Sequence, residues 1–367
     1  MGGTKCIDFT QGTNIQSPSM LIDDSAENII IDVLYIGAGF CISLFGIIAN
    51  TINIIVYLNR GVKDSPTVQF LSLSVSDCVF SVLVLMSSVG YFFIKIKSKS
   101  TILDPTIFSH FVSASREKAY SISVLIIFVM SLERSFCVAY PFTIKLIFTK
   151  SRSIVTITFL TVILTAALIP EYLNNRLEWV YDTNLNSSHL VYWSSREATT
   201  LDVLRNTIFA AVLPIVSGVS ATVCTIYMIS AVKASNKFRQ FAVTGKRLDT
   251  SLKDTSLSEI VQAQKTKTKK LTKETRITRT VIAVNIIFIL CNLPKSTMVA
   301  SSVANLYIPE FSLFVKGKYQ NLVSVLITIT FMFEAINGAS TFIVYYTMNT
   351  TFKTTVKQIL CKCFDVN

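Results

Sequence analysis

Charge is scarce in this sequence. Asp, Glu, Lys and Arg make up 15% of its 367 residues, against roughly 25% in a soluble domain. Only two histidines are present, His110 and His189, and the apolar segments carry no metal-ligating or nucleophilic constellation, which argues against an enzyme. Strand-like alternation at membrane length is missing, which argues against a transmembrane barrel. Neither an internal repeat nor a pair of Gly/Pro-broken segments occurs, which argues against a transporter. Met1–Asn28 lacks an apolar core, so no signal peptide is expected, and Cys6 stands where a myristoylation pattern needs Ser or Thr. The eight cysteines form no disulfide framework: Cys41, Cys78, Cys137, Cys224 and Cys291 fall within or at the ends of apolar segments, where a small side chain packs well.

Apolar residues are plentiful. They make up 51% of the chain, and its mean hydropathy of +0.54 is too high for a soluble fold of this length. At about 20 apolar residues per membrane span, several transmembrane helices fit. Seven segments qualify: Val33–Leu58, Thr67–Ile94, Thr106–Ala139, Ser153–Pro170, Asn206–Val232, Ile277–Val303 and Tyr319–Met348. The first, fourth and fifth carry no charge, the second only Asp77, and the seventh only Glu334. With the N-terminus outside, the cytoplasmic loops, helix ends and tail hold 22 of the 34 Lys and Arg residues. The positive-inside rule therefore sets the N-terminus out and the C-terminus in. The net charge of +12 reads as topology and contact with anionic lipid heads, not as nucleic-acid binding. Asn186-Ser187-Ser188 is a glycosylation acceptor in the second outer loop. Cys361 and Cys363 follow a short amphipathic segment, where palmitoylation would pin it to the inner leaflet; two unmodified thiols are the alternative.

Polar residues inside spans are costly and are functional candidates by default. Asn50 lies in the first span and Leu-Ser-Leu-Ser-Val-Ser-Asp77 in the second. The third ends Glu133-Arg134-Ser135, followed by Pro141, and the fifth has Pro214. The sixth has Phe288, Cys291, Asn292 and Pro294; the seventh ends Thr341-Phe342-Ile-Val-Tyr345, then Phe352-Lys353. In this order and topology the motifs resemble those of the rhodopsin-like (class A) G-protein-coupled receptors over about residues 33–363. There are departures. The third span and second outer loop lack the family's paired cysteines, and the fourth span lacks its Trp. Asn292 replaces the sixth-helix Trp, and Thr341-Phe342 replace Asn-Pro. This divergent pattern looks most like the molluscan chemosensory receptors and invertebrate peptide-type receptors.

The resemblance implies an all-α membrane protein: a seven-transmembrane helix bundle with an extracellular N-terminus and a short amphipathic eighth helix. Residues 1–32 form the outer tail, 33–348 the receptor domain with a cytoplasmic linker near 233–273, and 349–367 the eighth helix and tail. The protein is expected in the plasma membrane as a multi-pass receptor. It turns binding of an extracellular small-molecule or peptide ligand into heterotrimeric G-protein activation, with arrestin, a receptor kinase and membrane lipid as further partners and no cofactor. Arg134, always ionised, is expected to pair with Glu133 and Glu274 in an inactive-state lock at the G-protein face, with Tyr345 nearby. Phe288, Asn292, Pro294 and Pro214 form the activation switch, the prolines supplying kinks. Asn50, Asp77, Ser123 and Asn337 make a mid-membrane polar pocket resembling the family's sodium site, with a protonated Asp77 as the alternative.

Arg116 and Glu334 are the candidate ligand-pocket residues. Arg116 lies two turns above Ser123 and Glu334 one turn above Asn337, a depth gap of about 5 Å at 1.5 Å per residue. A long Arg side chain covers that gap, so an Arg116–Glu334 pair between the third and seventh spans is expected. The alternative has Arg116 reaching the headgroup zone with Glu117 and Lys118. A rival of another class is a seven-span ion-coupled transporter or channel using Asp77, Arg116 and Glu334 as its path.

Overall fold

The computed structural model describes residues 20–96, 105–140, 148–167, 169, 175–182, 187–194, 207–246, 257–307 and 319–364. Its elements run α1 (Asp24–Arg60), α2 (Ser65–Ile96), α3 (Pro105–Ala139) and α4 (Lys150–Ala166), then a hairpin of β1 (Asn175–Asp182) and β2 (Ser187–Ser194). A π-helical turn over Thr207–Val212 leads into α5 (Leu213–Lys246), followed by α6 (Leu257–Tyr307), α7 (Gln320–Met348) and α8 (Thr350–Phe364). Six of these helices, α1, α2, α3, α5, α6 and α7, are long and apolar enough to cross a membrane. With 17 residues, α4 is about 26 Å long, at the lower limit for a span, and completes a seven-helix, all-α bundle.

Helix ends follow local chemistry. Asp23 caps α1 by accepting from the Ala26 amide at 3.1 Å, and Asp24 and Glu27 place negative charge in the first turn. That cap carries α1 nine residues outward of Val33, where the apolar run begins, so helix replaces part of the expected tail. Asn321 of α7 holds the extension by donating to Asp24 at 2.8 Å and to the Ile22 carbonyl at 3.0 Å. Gly61 ends α1 at a φ of +74°, a region that favours a residue without Cβ. Asp64 caps α2 through the Thr67 amide at 3.2 Å, with Pro66 in its first turn, where no intrahelical donor is lost. Asn349 caps α8 by accepting from the Phe352 amide at 3.1 Å.

The bundle is built inside-polar as well as inside-apolar. Leu73, Val84, Val124, Met130, Met228, Val281 and Phe288 are fully buried, while Ile48, Val79, Phe159, Val223, Leu290 and Ile343 face outward to lipid. Near the inner end, Tyr57, Phe70, Tyr345 and Phe352 form one aromatic cluster with centroids 5.1–6.0 Å apart, Tyr345 meeting the other three edge to face, and it clamps α8 under α1, α2 and α7. Toward the outer end, Tyr35, within a π-helical stretch of α1 (Val33–Gly39), stacks on Tyr91 and Phe331.

One element departs from the sequence reading. The antiparallel hairpin, with Asn175 opposite Ser194 and Asp182 opposite Ser187, puts strand where only a loop was expected. The linker 233–273 is helical at both ends, since α5 continues to Lys246 and α6 begins at Leu257. Asn186 lies outside the described residues, as does the side chain of Cys363; Cys361 is exposed on α8.

Candidate functional site

Three polar layers lie along the bundle axis. At the inner end, Glu133 of α3 is fully buried and its carboxylate is surrounded by donors. Ser65 donates to Oε2 at 2.6 Å and Gln69 at 2.5 Å, both from α2, while the neighbouring Arg134 bonds Oε1. Ser153 of α4 joins through the Ser65 hydroxyl at 2.5 Å. Arg134, also buried, turns its other terminal nitrogen, Nη1, to Glu274 Oε2 of α6 at 3.3 Å; Nε has no partner. One residue before Glu274, Lys273 bonds Asp64 Oδ2 at 2.7 Å. Burial raises the Asp64 carboxyl, but the bonds from Lys273 and Thr67 outweigh it and hold it below the usual carboxylate range. Neighbouring residues of opposite charge thus fix the inner end of α6 at two points, to α3 and to the start of α2. Tyr345 is buried one layer in, its ring packed on Tyr57 and Phe70 and its hydroxyl without a hydrogen-bond partner.

The middle layer centres on Asp77 of α2, which is buried. Ser123 of α3 donates to its Oδ1 at 2.7 Å and lies 3.0 Å from Ser76. A Cβ built on Gly338 of α7 would stand 3.1 Å from the Phe80 ring and 3.9 Å from the same Oδ1, so the missing side chain lets Phe80 and α7 pack close beside the carboxylate. One carboxylate with two hydroxyls is a hard-oxygen set of the kind that suits an alkali or alkaline-earth cation. Asn50 of α1 points elsewhere: it donates to the Gly338 carbonyl at 2.8 Å and accepts from Thr341 at 3.0 Å. Asn337 is buried, but among the described residues no hydrogen bond joins it to Asp77. Across the bundle, Ser131 of α3 bonds Asn285 of α6 at 2.8 Å, and Asn285 donates to Thr225 of α5 at 3.0 Å. Phe288, fully buried, sits one turn above Asn285. Pro214 is buried near the start of α5, and Pro294 lies inside α6.

The outer layer differs from the sequence expectation. Glu334 of α7 is paired, but with Lys295 of α6, at 2.6 Å. Both partners are largely buried, at 9% and 14% side-chain exposure. The expected Arg116–Glu334 pair does not form, because Lys295, next to Pro294 in α6, occupies the carboxylate. Arg116 instead lays its guanidinium over the Phe331 ring, 3.7 Å from the centroid. Its Nε and Nη1 are buried without a hydrogen-bond partner. Below the ion pair, the Tyr120 hydroxyl donates to Asn292 Oδ1 at 2.8 Å, and Asn292 donates to the Phe288 carbonyl at 2.9 Å. The Lys295 ammonium also lies 5.3 Å from the centre of the Tyr120 ring. Lys118 sits over Phe209, 3.5 Å from its centroid.

These contacts link an outer cluster to an inner lock through α3 and α6. The match to known families fits that architecture: residues 49–345 match the seven-transmembrane receptor (rhodopsin family) model. The chain belongs to the rhodopsin family of seven-transmembrane receptors. No curated relative matches it. It is therefore a multi-pass membrane receptor, and its family signals rather than catalyses.

Several residues of these layers escaped the sequence reading. Lys295 was visible as a charge inside the sixth span, and its position after Pro294 was the available signal. Ser131, Asn285 and Thr225 were visible only as small polar residues, without a spacing that says which face each other. Ser65, Gln69 and Asp64 lie at the start of α2, where polar residues read as a helix entry.

Proposed function

We propose that the receptor binds an extracellular ligand in the outer cavity near Arg116, Lys295 and Glu334, and transmits binding to a heterotrimeric G protein at its cytoplasmic face. The observation that carries this reading is Arg134 held between Glu133 and Glu274, which ties α3 to α6 where a partner has to dock. Ligand favours a population in which the Arg134–Glu274 contact is open and α6 has swung outward. The opening exposes a cleft with Arg134 at its floor and Lys273, Arg276 and Arg279 on its α6 rim. Asn292, Phe288 and the Pro294 kink relay the change, since Asn292 joins Tyr120 of α3 to the α6 backbone at the hinge. Pro214 gives α5 a matching break.

Sodium, where it binds, would be held by Asp77 with Ser123, and its charge would compensate the carboxylate in the middle of the membrane. The cell surface is the site of action, with arrestin and a receptor kinase acting on the inner linker and on Thr350–Thr355. Palmitoyl groups on Cys361 and Cys363 would anchor α8 to lipid, and Asn186 would carry a glycan. The ligand is a chemosensory compound or a peptide. The Glu133-Arg134-Ser135 sequence and the seventh span without proline support the divergent chemosensory expansions of molluscs as the nearest setting.

The test is nucleotide exchange on a promiscuous Gα in cells expressing the chain, challenged with tissue or food extract before and after protease treatment. Arg134→Ala is expected to abolish the response. A response lost with protease identifies a peptide ligand, and one that survives a small molecule. An Arg134→Ala receptor that signals like wild type would overturn the coupling mechanism.

A further inference from the structure

The outer cluster contains an unmet electrostatic demand. Lys295 and Glu334 satisfy each other, so the pair is neutral. Glu117 and Lys118 are adjacent on α3 and so point about 100° apart, and Lys118 lies over the Phe209 ring. Among the described residues Arg116 meets no carboxylate, and two of its guanidinium nitrogens are shielded from solvent and unbonded. Burial of a charged donor without an acceptor is costly, and the face of Phe331 offsets only part of that cost. A planar guanidinium finds its best complement in the two oxygens of a carboxylate. One guanidinium carries one positive charge, which a monoanion neutralises and a phosphate dianion exceeds. Phe331 under the guanidinium and Tyr120 beside Lys295 are both buried, so the two cations lie against a low-dielectric aromatic wall that strengthens their pull on an anion.

The placement of Lys295 adds a way for the anion to act. The Lys295–Glu334 bond ties α6 to α7 directly above the Pro294 kink. A second carboxylate arriving at Arg116 competes with Glu334 for the same ammonium. We propose that the outer cavity recognises a small monocarboxylic acid in its ionised form, anchored by Arg116, which draws Lys295 from Glu334 and so releases α6 from α7. This rests on the receptor reading above and names the chemistry of its ligand.

The test uses the full chain, purified in nanodiscs, and a defined probe set: linear monocarboxylates from acetate to octanoate, benzoate, phenylacetate and 3-phenylpropionate. Each is compared with its primary amide at matched ionic strength. Binding is read as thermal stabilisation of the receptor, and coupling as nucleotide exchange on a promiscuous Gα. At least one acid is expected to stabilise the receptor while its amide does not. Arg116→Gln should weaken that acid at least tenfold. Glu334→Gln, which removes the competing carboxylate, should strengthen it by about tenfold, a gain that a misfolded variant cannot mimic. If no acid outperforms its amide, or if Glu334→Gln weakens binding, the carboxylate site is overturned. The two readings fail separately. Stabilisation by an acid without exchange leaves the anion site standing and removes the coupling mechanism. Raised basal exchange in Glu274→Gln, with no acid bound, does the reverse.

Discussion

The two ends of the bundle treat charge in opposite ways. At the inner end, among the described residues, each buried charge meets an opposite charge of the protein: Glu133 has two α2 donors and Arg134, and Arg134 has two carboxylates, with only its Nε unbonded. At the outer end Lys295 and Glu334 answer each other, but Arg116 has only an aromatic face. The difference separates a closed switch from an open site. An inner end that satisfies itself rests in one arrangement until something opens it. An outer end that leaves a donor unmet presents that donor to whatever enters. The Tyr120–Asn292 bond, between α3 and α6, lies on the path between them.

The contrast predicts a ranking of effects. Glu133→Leu should be the most damaging change, since it strips Arg134 of its closer partner and orphans the Gln69 amide, leaving Ser65 only its bond to Ser153. Breaking such a buried pair costs about 3–5 kcal/mol, and the check is loss of thermal stability and of receptor at the cell surface. Asn292→Leu should follow, at about 1–3 kcal/mol, because it strands the buried Tyr120 hydroxyl. Adding Tyr120→Phe should restore part of that loss, a non-additivity measurable by a double-mutant cycle. Glu274→Gln should have a smaller effect on stability and a clearer one on signalling. Its pair with Arg134 is half in solvent and is worth about 1 kcal/mol, so basal nucleotide exchange should rise about fivefold. Lys273→Ala should have the smallest effect, about 0.5 kcal/mol or a twofold rise in basal exchange, because the Lys273–Asp64 pair is largely exposed. A bundle in which all four changes act alike would erase the distinction between lock and site.

The sequence made the bundle legible because lipid imposes a simple demand: long uncharged runs and basic inner loops are nearly sufficient to order seven spans. It also brought Arg134 and Glu274 into reach, since both lie at the inner ends of spans whose depths can be counted from fixed landmarks. Ser123 and Asp77 came together by the same counting. Counting depth failed for Arg116 and Glu334. It ranked two side chains by height on separate helices, but could not see that Lys295 of a third helix, next to Pro294, occupies the carboxylate first. Asn285, Ser131 and Thr225 were invisible for a related reason: small polar residues are common in spans, and rotation about each helix axis decides which ones meet. The outward extension of α1 was hidden because its charged first turns read as a tail, although Asp23 is a good cap. The hairpin was hidden because two eight-residue strands carry too few alternations to stand out from a loop.

The β1–β2 hairpin has a consequence for the medium around it. No cysteine lies between Cys78 and Cys137, or between Cys137 and Cys224, so no sulfur bridge can join this outer loop to the top of α3. Main-chain hydrogen bonds hold its two strands in register instead, and such bonds are blind to thiols. Reductants that cut extracellular disulfides find no target there, and the loop needs no oxidase during synthesis. Its geometry is therefore independent of the redox potential of the fluid it faces.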